Sequence, residues 1–184
     1  MKVLFEDKFI IIVEKPADVL SEPDGKNPDI VTLASEHVCK PCFLVHRLDR
    51  NTGGAMVLSK MQKATGKLSE AIQKREFEKE YIAVIKGEIS RPEILKLQSG
   101  VIIDGSKTAP SKVAVVDMSE HTVTLSVIIH EGRNRQVRKM FEAIDKEVIR
   151  LTRIRMGELY LGNLAVGESR ELNRVEISYI NRLK

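Results

Sequence analysis

"HTVTLSVIIHEGRNRQVRKMFEAI", residues 121 to 144, changes its hydrophobic period halfway along. Val123, Leu125, Val127 and Ile129 alternate with Thr122, Thr124 and Ser126, the period of two of a half-buried strand. After His130 the apolar positions become Val137, Met140, Phe141 and Ile144, spaced i, i+3, i+4, i+7 as on an amphipathic helix. At about 100° per residue, Arg138 falls beside Val137 at the edge of the apolar stripe, whereas Arg135 sits on the polar side. The spacing therefore predicts a partly buried Arg138, and a partly buried guanidinium wants a carboxylate.

Working outward, residues 8 to 14 and 55 to 60 read as strands, rich in β-branched and apolar residues. "EYIAVIK" (80–86) is apolar on both faces, the mark of a central strand, and "VIRLTRIR" (148–155) reads as another. From Thr65 the pattern turns helical, with Leu68, Ala71 and Ile72 on one face. "SEPDGKNPD" (21–29) and "DGSKTAPSK" (104–112) read as loops, and "RPEILKLQSG" (91–100) as a seam between halves of about 1–90 and 91–184. Gly157, Gly162 and Gly167 read as turns of a closing meander. Leu172, Val175, Tyr179 and Leu183 suggest a last helix, with Asn173 and Glu176 at capping-box spacing. Seven or eight strands, three helices and short links predict an α+β protein on a largely antiparallel sheet, one domain of 184 residues.

With 42% hydrophobic residues the chain can bury a real core. Its strongest apolar run, "FIIIV" (9–13), is far too short to span a membrane, and no basic leader precedes a cleavage site. A cytoplasmic monomer without membrane attachment is the expectation. Residues 133 to 155 carry eight Lys or Arg against three acids, a net of +5, and the rest of the chain carries −1 of the total +4. Such clustering suits a polyanion; a solvated basic face with no partner is the other reading. Cys39 and Cys42 form "CKPC" near His37 and His46, too cramped for a tetrahedral cage and ahead of a strand rather than at a helix start. Two reduced thiols are expected, with no metal and no cofactor.

"FLVHRLDRNTGG" (43–54) sets Asp49 among His46, Arg47 and Arg50 between two strand-like runs. A surface salt bridge, contributing roughly 0 to 1 kcal/mol, would account for the charges. A charged loop between strands is also a common place for a site.

At this point the sequence resembles a family, the RNA pseudouridine synthases. "HRLDRNTGG" is similar to the family's H-R-L-D-x-x-T-S-G motif, and "KPADVL" (15–20) to its K-P-x-G-hydrophobic segment. "EKEYIAVIKG" resembles the strand carrying the family's tyrosine. "EGRNRQVRKMF" and "VIRLTRIRMGELYLGNLAVGESREL" resemble its C-terminal motifs. Residues 1 to about 90 look like the branch of large-subunit rRNA and dual-specificity tRNA enzymes. From about Glu93 the chain looks like the branch of the small-subunit rRNA enzyme. Gly53 stands where the family has Ser, Asp18 where it usually has Gly, and Asp145-Lys146 where a Gly-His would end the helix. The family's frequent N-terminal RNA-binding domain is not expected, because the motifs begin by residue 15.

The resemblance implies the pseudouridine synthase catalytic fold and a reaction that needs neither metal nor cofactor. The N-glycosidic bond breaks, uracil turns over, and it is rejoined through C5, with a carboxylate bonding transiently to the nucleoside at the sugar or the ring. By match to the motif Asp49 is that nucleophile. Tyr81 looks like the tyrosine that stacks on the base and helps remove the C5 proton, and Arg138 like the arginine that pairs with the aspartate. Leu151 is similar to the apolar residue lining the uracil pocket. The target uridine must leave its stack. Arg47 would fill the gap it leaves or hold its phosphate. The arginines beside Asp49, Arg47 and Arg50, would keep that acid ionised and grip the RNA around it, and Arg133 and Arg135 suit backbone contact. The implied partner is RNA, ribosomal RNA first and tRNA second. A noncatalytic RNA-binding or ribosome-assembly factor on the same fold is the alternative. A metal-dependent nuclease would want clustered carboxylates that the chain lacks.

Overall fold

The computed structural model describes residues 1–73, 78–160, 173–176 and 178. Along the chain run β1 (Lys2–Glu6), β2 (Ile10–Lys15), α1 (Ile30–Val38), β3 (Phe43–Leu44), β4 (Thr52–Ser59) and α2 (Gln62–Gln73). There follow β5 (Lys79–Lys86), α3 (Arg91–Ser99), β6 (Ile102–Ile103), β7 (Ser106–Lys107), β8 (Lys112–Met118) and β9 (Thr122–Ile129). Then come α4 (Gln136–Glu142), β10 (Val148–Met156) and β11 (Leu159–Tyr160). The protein is α+β, and the chain gathers into two compact units, Met1–Phe77 with Ile154–Lys184, and Glu78–Arg153.

In the first unit β2 lies between β1 and β4 and pairs antiparallel with both. Ile10 to Val13 are all buried, which is why "FIIIV" is unbroken rather than alternating. The β2–β4 register runs from Ile10 opposite Ser59 to Lys15 opposite Gly54. Ile10, Ile12, Val45, Val57, Leu68, Met156 and Leu159 form one apolar cluster. Each such side chain contributes about 1.5 to 3 kcal/mol on burial. Helix α1 shows no clear period in the sequence, since β-branched residues blur it. Its start was nonetheless legible: the Asp29 carboxylate caps it, accepting from the Thr32 N–H at 2.8 Å. A two-residue turn at Gly157 (φ 57°) joins the end of β10 to β11, with Arg155 opposite Tyr160. The expected capping box is present: Asn173 Oδ1 accepts from the Glu176 N–H at 3.0 Å, and Glu176 Oε2 accepts from the Asn173 N–H at 2.8 Å. Gly162, Gly167, Leu172, Tyr179 and Leu183 lie outside the described residues, as do the side chains of Ala71 and Ile72.

In the second unit the strands run in the order β10, β5, β9, β8. β9 alternates between half-buried and buried positions along its whole length, as its period of two predicts. β5, flanked on both sides, pairs antiparallel with β9 from Lys79 opposite Ile129 to Lys86 opposite Thr122. The stretch read as a seam is instead helix α3. Glu93 accepts from the Ser90 N–H at 2.6 Å in a capping box, the helix start that "SRPE" signals in the sequence. Gly100 ends this helix at φ 92°, where a Cβ would run into the Thr108 carbonyl oxygen. Within the segment read as a loop, Asp104 and Gly105, both at positive φ, close the small β6–β7 hairpin.

Helix α4 begins at Gln136, just before its first apolar position, because residues 131–135 are held in a polar loop, and Arg135 (φ 52°) stands at the N-cap position without a side-chain cap bond. Val137, Met140 and Phe141 are buried, with Ile144 close behind. Asp145 takes φ 58°, and the Lys146 N–H reaches the Phe141 carbonyl at 3.0 Å. Here Asp does the left-handed work that the family gives to glycine. Among the described residues no helix is long and apolar enough to cross a membrane.

Candidate active site

In the first unit, Lys15 and Gly54 close the β2–β4 ladder, so the segments beyond them, residues 16–20 and 46–53, emerge at one end of that pair. Lys15 is fully buried. Its Nζ donates to the carbonyls of Pro16 (2.9 Å), Val19 (2.6 Å) and Arg50 (3.0 Å). The Arg50 carbonyl also accepts from the Asp18 N–H at 2.9 Å. Ser21, likewise buried, straddles Leu48: its hydroxyl donates to the Leu48 carbonyl at 2.6 Å and accepts from the Leu48 N–H at 3.0 Å. His46 Nε2 accepts from the Val57 N–H at 3.0 Å, so the neutral ring carries its proton on Nδ1. The Asp49 carbonyl accepts from the Thr52 N–H at 3.0 Å. Main chain and side chains thus fix the backbone on both sides of Asp49, whose own side chain is half-buried. Such a loop can hold a carboxylate in one place before any substrate arrives.

The two arginines that flank Asp49 in sequence turn elsewhere. Arg47 is exposed and lies 3.8 Å from Glu22, and Arg50 Nε donates to the Asp18 carbonyl at 3.3 Å. Asp18 has φ 68°, which accounts for the family's usual glycine there. A Cβ at Gly53 would make only ordinary contacts, 3.4 Å from the Lys15 carbonyl, so the family's serine would also fit. By sequence Lys15 is only the first residue of "KPADVL" and Ser21 the first of a loop segment. A lysine directly after an apolar strand and before Pro is the local signal there.

In the second unit, Tyr81 on β5 and Leu151 on β10 are both buried. Arg153, also on β10, is 2% exposed and hydrogen-bonds Tyr81. Burial pushes its guanidinium below the usual arginine range, and Tyr81 acts in the opposite direction. By sequence this residue is one of the eight Lys or Arg between 133 and 155. Arg138 is half-buried, as the stripe geometry predicted, and its Nη1 donates to the Val148 carbonyl at 2.6 Å. Arg135 is exposed and lies 3.6 Å from Glu142.

Arg133 is used by the scaffold. Its Nη1 donates to the Ser106 carbonyl and hydroxyl, its Nη2 to the Lys107 carbonyl at 2.7 Å, and its Nε lies 3.4 Å from Glu131. Glu131, itself buried, accepts from the Gln136 amide at 2.6 Å and the Ala109 N–H at 3.1 Å. Cys39 is exposed at the end of α1; Cys42 is buried, which pushes its thiol up, and both are free thiols. Among the described residues no cluster of His, Cys, Asp or Glu is placed to hold a metal.

A family model described as RNA pseudouridylate synthase matches residues 9–143. The ribosomal large subunit pseudouridine synthase B of Bacillus subtilis is 35% identical over 100% of this chain and 75% of its own length. The likeness therefore runs through both halves of the chain within one protein. The ribosomal large subunit pseudouridine synthase E of Vibrio parahaemolyticus is 32% identical, over 93% of this chain and 76% of that one. A solved pseudouridylate synthase superposes with a TM-score of 0.71 at 25% identity, covering 93% of this chain and 72% of that one. Motif order, a tethered acidic loop and relatives that match over nearly all of this chain agree, and the chain belongs to the RNA pseudouridylate synthase family.

Proposed function

We propose that this synthase acts on uridines of ribosomal RNA and that Asp49 is its nucleophile. The observation that carries the reading is the tethering around Asp49: buried Lys15 and Ser21 hold the loop by its main chain and leave the half-buried carboxylate to do the chemistry. Rigid placement of a nucleophile is where this reaction has most to gain, since no cofactor chemistry is called for. Tyr81, Arg138 and Leu151 carry over by motif match as the aromatic, cationic and apolar members of the same set. The ribosomal substrate is supported by the relatives, two of which are named for the large ribosomal subunit. Arg47 and Arg50, both exposed beside Asp49, are suited to the RNA that flanks the extruded base.

Asp49→Asn tests the assignment. Asn keeps the size and hydrogen-bonding capacity of Asp but cannot serve as an anionic nucleophile. RNA affinity is expected within about tenfold of wild type, about 1.4 kcal/mol, while tritium release from C5-labelled uridine in a ribosomal transcript is lost. Release near the wild-type rate would remove Asp49 from the role. No release by the wild type on any cellular RNA would favour the noncatalytic alternative.

A further inference from the structure

Arg153 lies in the middle of β10, and 2% exposure takes it out of reach of an RNA phosphate. A guanidinium at that depth is costly unless its donors find partners, and one of its partners is the Tyr81 hydroxyl. The guanidinium has only donors, so the phenol oxygen is the acceptor. The phenol's own proton must then point away from Arg153. Leu151 sits two residues earlier on β10 and so shares the face that Arg153 occupies. An apolar residue of similar volume could fill this place without directing anything; an arginine dictates where one oxygen sits and which way its proton turns.

We propose that Arg153 is a positioning residue for the reaction, acting through Tyr81. It holds the phenol oxygen from within the sheet, so that the ring and its hydroxyl present one orientation to the uracil. The inference rests on the reading of Tyr81 as the tyrosine that helps remove the C5 proton, and its test separates the two.

Arg153→Met, Arg153→Lys and Tyr81→Phe are compared singly and as double variants, using transcripts with protium or deuterium at uridine C5. Arg153→Met is expected to lower kcat roughly 10²-fold, the scale of a lost acid–base contribution, with KM for RNA changed by less than about threefold. The C5 isotope effect on kcat should rise to match that of Tyr81→Phe. In the Tyr81→Phe background the further loss should be under about twofold, because both changes remove one interaction. Arg153→Lys, which keeps a charge and a donor, should recover about tenfold of the loss. A purely structural Arg153 would instead give losses that multiply with Tyr81→Phe and a wild-type isotope effect, and either result overturns the proposal. If Arg153→Met fails to fold, Arg153→Lys against Tyr81→Phe supplies the same cycle. Tyr81→Phe with a wild-type rate and isotope effect would sink the tyrosine reading and this inference together. A damaged Tyr81→Phe with multiplying Arg153 losses would sink this inference alone.

Discussion

Two loops in this molecule are both rich in charge and use it in opposite ways. The loop carrying Asp49 is held from outside. Lys15 and Ser21 come from the neighbouring segment and bond main-chain atoms of Arg50 and Leu48, and His46 turns back onto the main chain of β4. The loop at residues 131–136 is held by its own side chains, with Glu131, Arg133 and Gln136 bonded to one another and to residues 106–109. The first arrangement leaves the central charged side chain available; the second consumes most of its charges and leaves Arg135 exposed. Charge density along a sequence is therefore a poor guide to charge available for binding. What matters is whether the polar atoms of the backbone are satisfied by imported or by resident side chains.

The largest effect after that expected of Asp49→Asn should come from Lys15→Met. It leaves three carbonyls without their shared donor in a buried site, and a loss of about 3 kcal/mol is expected. The urea midpoint should fall with an unchanged slope, and turnover should fall further than the unfolded fraction accounts for. Loss of stability with normal turnover per folded molecule would break the idea that Lys15 places Asp49.

Arg133→Leu and Arg135→Leu remove the same charge from positions two apart. Arg133→Leu should destabilise by about 1 to 2 kcal/mol, since it strips donors from Ser106, Lys107 and Glu131. Arg135→Leu should stay within about 0.5 kcal/mol of wild type and lower the slope of log affinity for RNA against log salt by about 1. Should Arg133→Leu lower that slope with no loss of stability, Arg133 is an RNA ligand after all, and the contrast between the two loops fails.

The smallest effect concerns Asp18, at φ 68° beside the Asp49 loop. Asp18→Gly should change stability by less than about 0.5 kcal/mol, because relief of left-handed strain offsets the greater freedom of glycine in the unfolded chain. Asp18→Val should lose about 1 to 2 kcal/mol. Thermal melts of the three proteins decide this, and a tolerated valine would show that the segment can shift.

Much of the fold was legible because each readable element has one strong period. β9 reads as a strand since one of its faces is buried throughout, and α4 as a helix since Val137, Met140 and Phe141 line one stripe. The elements that escaped were those whose signal lies in their ends. Helix α3 is announced by Ser90 and Glu93 and α1 by Asp29, while their interiors carry too little periodicity to register. Strand β1 escaped because it is short and half-buried, with a bulge between Val3 and Phe5.

For the site, local sequence determined which residue types stand beside one another: an acid in a charged turn, a tyrosine in a central strand, an arginine at the edge of an apolar stripe. Motif spacing carried the family from there. Only the tertiary structure decided what each charge does, because side-chain partners are set by contacts between segments far apart in the chain. Arg47 and Arg50 sit next to Asp49 in sequence and reach Glu22 and the Asp18 carbonyl. Lys15 stands 35 residues before Arg50 and holds its carbonyl. Arg153, one basic residue among eight by sequence, is buried against Tyr81. Burial makes these differences: a charge in water is free to go to a ligand, whereas a charge out of water must be satisfied within the fold.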